Sequence, residues 1–137
     1  MLDVRRVLWL GIVLGAVALA SSVALAVGAR WHGLRSVTVT VSNPSLPPPN
    51  GEPLTIKFLP GDGLSRAQQA LNANDIARLS KPRPNTACAG GYNATIEIVK
   101  RGGAVVTLSG YRCGTTTFGR GGGNLPGFLK AVGISPP

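Results

Sequence analysis

Few residues in this chain could do chemistry, and their spacing points to structure more than to catalysis. There are two cysteines, Cys88 and Cys113, and one histidine, His32. The cysteines lack the Cys-x-x-Cys spacing of a redox couple, so they read as a structural disulfide, with a redox-active pair as the rival reading. His32 stands beside Trp31 just past a long apolar run, where a Trp-His pair at a lipid interface is expected without any role as a catalytic base. Beyond that run the carboxylates are Glu52, Asp62, Asp75 and Glu97. Asp62 sits between two glycines in a turn, Asp75 interrupts a helical pattern and Glu97 falls on a hairpin face, so a glycosidase-like pair would need a coincidental convergence. Zinc and calcium spacings are missing. The glycines at 119–123 lack the Gly-Lys-Ser/Thr of a phosphate loop and read as a loose connection. The sequence therefore implies no cofactor, no metal and no enzyme.

Charge is the remaining signal. Lys and Arg number 14 against 5 Asp and Glu, giving a net charge of +9. An excess of this size favours a polyanionic neighbour: anionic lipid headgroups, a cell-wall polymer or an acidic protein. Export, argued below, removes most nucleic-acid targets, and Tyr92, Tyr111, Phe118 and Phe128 form no recognisable base-stacking motif, so nucleic acid is disfavoured. Most basic residues are scattered. Lys100, Arg101, Arg112 and Arg120 cluster in sequence around one hairpin and the loop after it, among glycines that let the backbone conform to a partner, and are the expected anionic contacts. The rival reading is that they are simply solvated.

The N-terminal segment sets the compartment. Arg5 and Arg6 precede Val7 to Ala29, an uncharged apolar run of 23 residues. As a helix at 1.5 Å per residue it would cover roughly 34 Å, enough to cross a bilayer core. Ala24-Leu25-Ala26 also fits a small-x-small cleavage site, so residues 1–29 read either as a transmembrane anchor or as a signal peptide. Arg5-Arg6 fits a basic n-region better than a twin-arginine signal, and a lipoprotein anchor is excluded because no cysteine lies near the run. A disulfide needs an oxidising compartment, which places the C-terminal part outside the cytoplasm.

The exported part must be built from short elements. Ser36 to Ser42 alternates Val37, Val39 and Val41 with hydroxyl residues, a half-buried strand. Asn43 to Pro53 carries five prolines and reads as a stiff surface connector rather than a polyproline ligand, so 30–53 forms a strand plus connector and 54–137 the remainder of the same small domain. Leu54 to Leu59 is a second strand. Ser65 and Gln68 form a capping box, predicting a helix over 66–79, kinked or split near Asn72, Asn74 and Asp75. Residues 94–100 and 104–110 read as a hairpin with Ile98 opposite Val106 and Ile96 opposite Leu108. That register carries Cys113 to a position opposite Gly91, near Cys88, and a bridge closing this loop is worth roughly 3.5 kcal/mol on the chain-entropy model. Thr115 to Phe118 suggests a short strand, 119–124 a flexible loop and 126–132 a helix with Gly133 as its cap. Asn93-Ala94-Thr95 matches a glycosylation sequon, a pattern frequent by chance.

The expected fold class is α+β: an N-terminal apolar helix, then a small disulfide-bridged domain with an antiparallel sheet and one or two helices on one face. The expected role is that of a single-pass, membrane-anchored, extracytoplasmic domain binding a protein partner or an anionic envelope surface. The alternative is a secreted module cleaved at Ala26, such as a protease inhibitor.

Overall fold

The computed structural model describes residues 30–84, 90–114 and 116–136. The apolar run and Cys88 lie outside the described residues. Among the described residues no helix is long and apolar enough to cross a membrane.

Residues Trp31–Pro137 make one compact unit. Its core begins with the valine alternation of β1 (Leu34–Ser42), in which Val37, Val39 and Val41 are buried. β-Branched side chains at every second position suit a pleated strand with one covered face. β1 pairs antiparallel with β2 (Leu54–Phe58) on one side and with β4 (Tyr92–Lys100) on the other, setting Val37 opposite Ile98 and Val39 opposite Ile96. β4 turns into β5 (Val105–Cys113) with Ile98 opposite Val106 and Ile96 opposite Leu108, the register that the alternation predicts. β6 (Thr116–Gly122) and β3 (Ala77–Arg83) complete a six-stranded antiparallel sheet in the order β2-β1-β4-β5-β6-β3. Two helices, α1 (Asp62–Ala73) and α2 (Leu125–Ala131), add Leu64, Ala67, Ala70, Leu71, Leu125, Phe128 and Leu129 to the core. The architecture is therefore α+β with an antiparallel sheet.

Several elements differ from the sequence reading. The Pro-rich segment is an exposed connector as expected, and it is folded into turns. Leu46 donates to the Asn43 carbonyl at 3.1 Å, and Asn50 and Glu52 close further turns on Pro47 and Pro49. Gly51 fits because a Cβ there would fall 2.2 Å from the Leu46 carbonyl oxygen. These turns return the chain so that β2 can pair with β1.

The helix expected at 66–79 instead runs from Asp62 to Ala73, and 77–83 is an edge strand. Gly61 occupies the N-cap without a side-chain cap, so the Ser65–Gln68 box does not start the helix. The helix ends in a Schellman motif: Ile76 donates to the Leu71 carbonyl at 2.9 Å, Asp75 donates to the Asn72 carbonyl at 3.1 Å, and Asp75 takes a φ of 52°. Asn and Asp tolerate the left-handed region better than other side chains, which makes the polar Asn72-Ala73-Asn74-Asp75 stretch a terminus and not a kink. α2 ends the same way, with Ile134 donating to Leu129 at 2.9 Å and Gly133 at a φ of 79°. Gly133 thus serves as the expected cap.

The expected flexible loop at 119–124 is mostly strand β6. Glycine is what allows it: a Cβ on Gly119 would lie 2.7 Å from the Ser109 carbonyl oxygen, and one on Gly122 would lie 2.8 Å from the Leu79 side chain. Gly123 then joins the two helix ends. Its φ is 96°, a Cβ there would lie 2.5 Å from the Asp75 carbonyl oxygen, and the following Asn124 amide donates to the Asn74 carbonyl at 2.8 Å. Replacing Gly123 with Ala combines a disfavoured φ with a backbone clash. We expect a loss of at least about 2 kcal/mol, measured by denaturant unfolding of the full chain in detergent, against a change of a few tenths for Ser65→Ala, whose capping role is unused.

Candidate functional site

Two exposed cations, Lys100 and Arg101, stand where β4 meets β5. Lys100 and Ala104 close the turn through a 2.9 Å bond from the Lys100 amide to the Ala104 carbonyl, and the Gly103 amide returns to the Lys100 carbonyl at 2.9 Å. Gly103 has a φ of 89°, which an L side chain rarely adopts. The Arg101 amide donates to the Gly33 carbonyl at 2.9 Å, tying the turn to the start of the domain. Lys100 Nζ lies 5.9 Å from the centre of the Trp31 ring, within cation–π range. The side chains of Lys100 and Arg101 are nevertheless exposed, so a hydrogen-bonded turn presents two charges to solvent.

Trp31 makes this arrangement possible, and its position corrects the expectation of a lipid-facing Trp-His pair. The indole is 6% exposed and belongs to the core cluster. Its Nε1 donates to the Ile76 carbonyl, while the Trp31 amide and carbonyl exchange bonds of 2.9 and 2.8 Å with the Asn72 carboxamide. His32 alone of the pair is exposed.

The four cations expected to act together are not together. Lys100 and Arg101 occupy the tip, whereas Arg112 is cross-strand from Tyr92 at the far end of β5, roughly 25 Å along the strand. Arg112 is half-buried and donates to Thr117 Oγ1 at 3.1 Å, which gives it a packing role within the sheet. Arg120 is exposed on β6. Adjacency in sequence misleads here because a nine-residue strand carries its two ends far apart.

In place of Arg112 and Arg120 the fold brings Arg35 to the tip. The β1–β4 register shifts between Leu34, opposite Lys100, and Ser36, opposite Val99, leaving Arg35 as the extra residue of a β-bulge. Arg35 and Arg101 line a cleft of about 320 Å³ with Gly33, Pro60, Gly61 and Gln68. Sequence reading gave no sign of it, since its walls come from segments joined only by strand pairing. A second open cleft, of about 420 Å³, lies near the opposite end and is lined by Arg83, Asn93, Thr95, Ser109 and Tyr111. It offers one guanidinium and several hydrogen-bonding groups. The Tyr111 hydroxyl already donates to the Gly90 carbonyl.

The carboxylates lie on separate elements: Glu52 in the Pro-rich loop, Asp62 in the first turn of α1, Asp75 after its last, and Glu97 on β4. Among the described residues no group of three or more His, Cys, Asp or Glu side chains could hold a metal ion. Cys113 ends β5, and no cysteine among the described residues is free. No family model matches this chain, and neither a curated protein nor a solved structure is similar enough to be matched to it.

Burial pushes the Tyr92 hydroxyl above the usual tyrosine range, while the positive charge of Arg112 acts in the opposite direction. That hydroxyl is buried without a hydrogen-bond partner among the described residues. A folded-state pKa above the unfolded value contributes stability that is fully present below about pH 10 and is lost as pH rises through the folded value. Tyr92→Phe is therefore expected to match or exceed the parent in stability at pH 7, because an unpaired buried hydroxyl is removed. The variant should also lose less stability above about pH 10. Unfolding midpoints across that range, measured for both chains, check the two expectations.

Proposed function

We propose that this protein is a non-enzymatic, membrane-tethered extracytoplasmic domain that binds an anionic envelope surface or partner. The observation that carries the reading is the exposed Lys100-Arg101 tip, held by backbone bonds to Ala104 and Gly33 and joined by Arg35. A rigid backbone presenting charges without an adjoining acid–base pair suits electrostatic attachment. The apolar run from Val7 to Ala29 supplies the tether, and the excess of basic residues after it supplies the attraction.

The extracytoplasmic placement rests on a bridge between Cys88 and Cys113. The chain has no third cysteine, and the hairpin register supports the pairing by bringing the end of β5 back to the approach to β4. Thiol-reactive polyethylene glycol should shift the mobility of the denatured chain only after reduction, and two reactive thiols without reductant would overturn the assignment. A secreted module released by cleavage at Ala26 is the second reading. It is favoured by the Ala24-Leu25-Ala26 pattern and by a compact unit that starts at Trp31, shortly after that site.

Fractionation of expressing cells discriminates between them. The tethered reading predicts an intact Met1 chain in carbonate-washed membranes, with the domain cleaved by protease added outside the cell. A soluble chain beginning at Val27 in the medium would establish the secreted form instead. Retention on anionic liposomes should fall as the Debye length shrinks from about 10 Å at 0.1 M salt to about 3 Å at 1 M.

A further inference from the structure

The tethered reading leaves open which part of the domain meets the anionic surface, and the structure carries an answer that rests on that reading. Trp31 is buried in the core, and the apolar run ends at Ala29. Two peptide units separate them, so the covalent chain holds the Cα atoms of Ala29 and Trp31 within about 8 Å of one another. On the tethered reading the chain enters the domain at Trp31, whose ring lies under Lys100 of the hairpin tip.

That end has the surface such a position requires. Lys100 and Arg101 extend from the hairpin tip, and Arg35 stands at the bulge beside them. Two large apolar side chains are exposed in the same region. Leu59, 59% exposed, follows Phe58, which pairs with Val37 at the start of β1, and Val105, 56% exposed, pairs with Val99 next to the tip. Pro60 and Gly61 line the same cleft as Arg35 and Arg101, which joins the Leu59 side to the hairpin side. Two carboxylates stand at this end: Asp62, next to Gly61 of the cleft, and Asp75, next to Ile76, whose carbonyl accepts from Trp31.

The opposite end provides an internal comparison. Leu46 and Leu54 are also exposed, at 39% and 48%, but the chain from Ser42 to Leu54 contains no Lys or Arg and carries Glu52. Arg112 at that end is half-buried and donates to Thr117, and Arg83 lines a separate cleft, so what distinguishes the hairpin end is exposed apolar residues beside exposed cations in the same stretch of surface. Interfacial protein surfaces bind anionic bilayers through this pairing of shallow apolar contact with Lys and Arg at headgroup level.

We propose that Leu59, Val105, Lys100, Arg101 and Arg35 form a lipid-contact face that seats the domain directly on an anionic bilayer. Arg112 stands at the far end of β5 and takes no part.

Hydrogen exchange on the full chain tests this. The chain is reconstituted in phosphatidylcholine vesicles and in vesicles with one quarter phosphatidylglycerol. Peptides covering 57–62 and 100–105 should exchange at least about threefold more slowly in the anionic vesicles, while 44–53 should not change. Lys100→Glu with Arg101→Glu should abolish the difference, and Arg78→Glu with Lys81→Glu on the exposed edge strand β3 should preserve it. Protection of β1 and β4 amides in the same data confirms that each variant is folded. Equal exchange in both vesicles, equal protection at 44–53, or insensitivity to the Lys100 and Arg101 changes would overturn the proposed face. Vesicle flotation separates this from failure of the tethered reading. A chain that floats with both vesicle types but shows no local protection refutes only the face, whereas a chain that fails to float refutes both.

Discussion

Burial of β1 between β2 and β4 is the constraint on which the other elements depend. Val37, Val39 and Val41 lose essentially all contact with water, and burying a valine side chain is worth roughly 1.5 kcal/mol or more. Three valines on one face and hydroxyl residues on the other commit the sheet to a single covered side. With so few aromatic residues in the chain, that side cannot be covered by the sheet alone. It needs both helices, and the path of the chain supplies them: β2 and β3 are opposite edges of the sheet, and α1 is the connection between them. One crossing segment thus brings Leu64, Ala67, Ala70 and Leu71 into the core.

The ends of the helices are as closely specified as their faces. Both stop in Schellman motifs whose terminal isoleucines, Ile76 and Ile134, are buried in the core. The same bonds that satisfy the last carbonyls therefore also turn the chain inward. Asn74 links the two helices, since its carbonyl accepts from Asn124, the residue whose side chain caps α2 by accepting from Gly127 at 3.1 Å. Asn72 reaches the other way and holds the backbone of Trp31. The polar stretch after α1 thereby fixes both the C-terminal helix and the first residue of the domain, and through Trp31 it supports the cationic hairpin tip.

This coupling bears on function because it makes the tip a rigid extension of the core. Lys100 lies over the buried Trp31 ring, and Arg101 is bonded through its amide to Gly33. The charges at this end are therefore presented at a defined position relative to the point where the chain enters the domain. Positions that looked like neighbours in the sequence, Arg112 and Arg120, serve different surroundings.

The valine alternation, the hairpin register and the C-terminal helix with its glycine cap could be read from the sequence alone, because each depends on residues close together in the chain. Period-two patterns fix which side chains share a face, and a three-residue loop fixes which residues stand opposite one another. The same locality explains why Lys100 and Arg101 could be placed together at one turn from the sequence. Only the tertiary structure decided that 77–83 and 119–122 are paired strands. An exposed edge strand with a proline and a strand built on glycines carry no alternation, and their pairing becomes favourable only when Ser109 and Leu79 approach the bare backbone of Gly119 and Gly122. The burial of Trp31 was likewise invisible, because its hydrogen-bond partners are Asn72 and Ile76, more than forty residues away. Long-range contact also placed Arg35 beside Arg101 and removed Arg112 from their company: strand length and register, not distance along the chain, determine which charges share an end of the sheet.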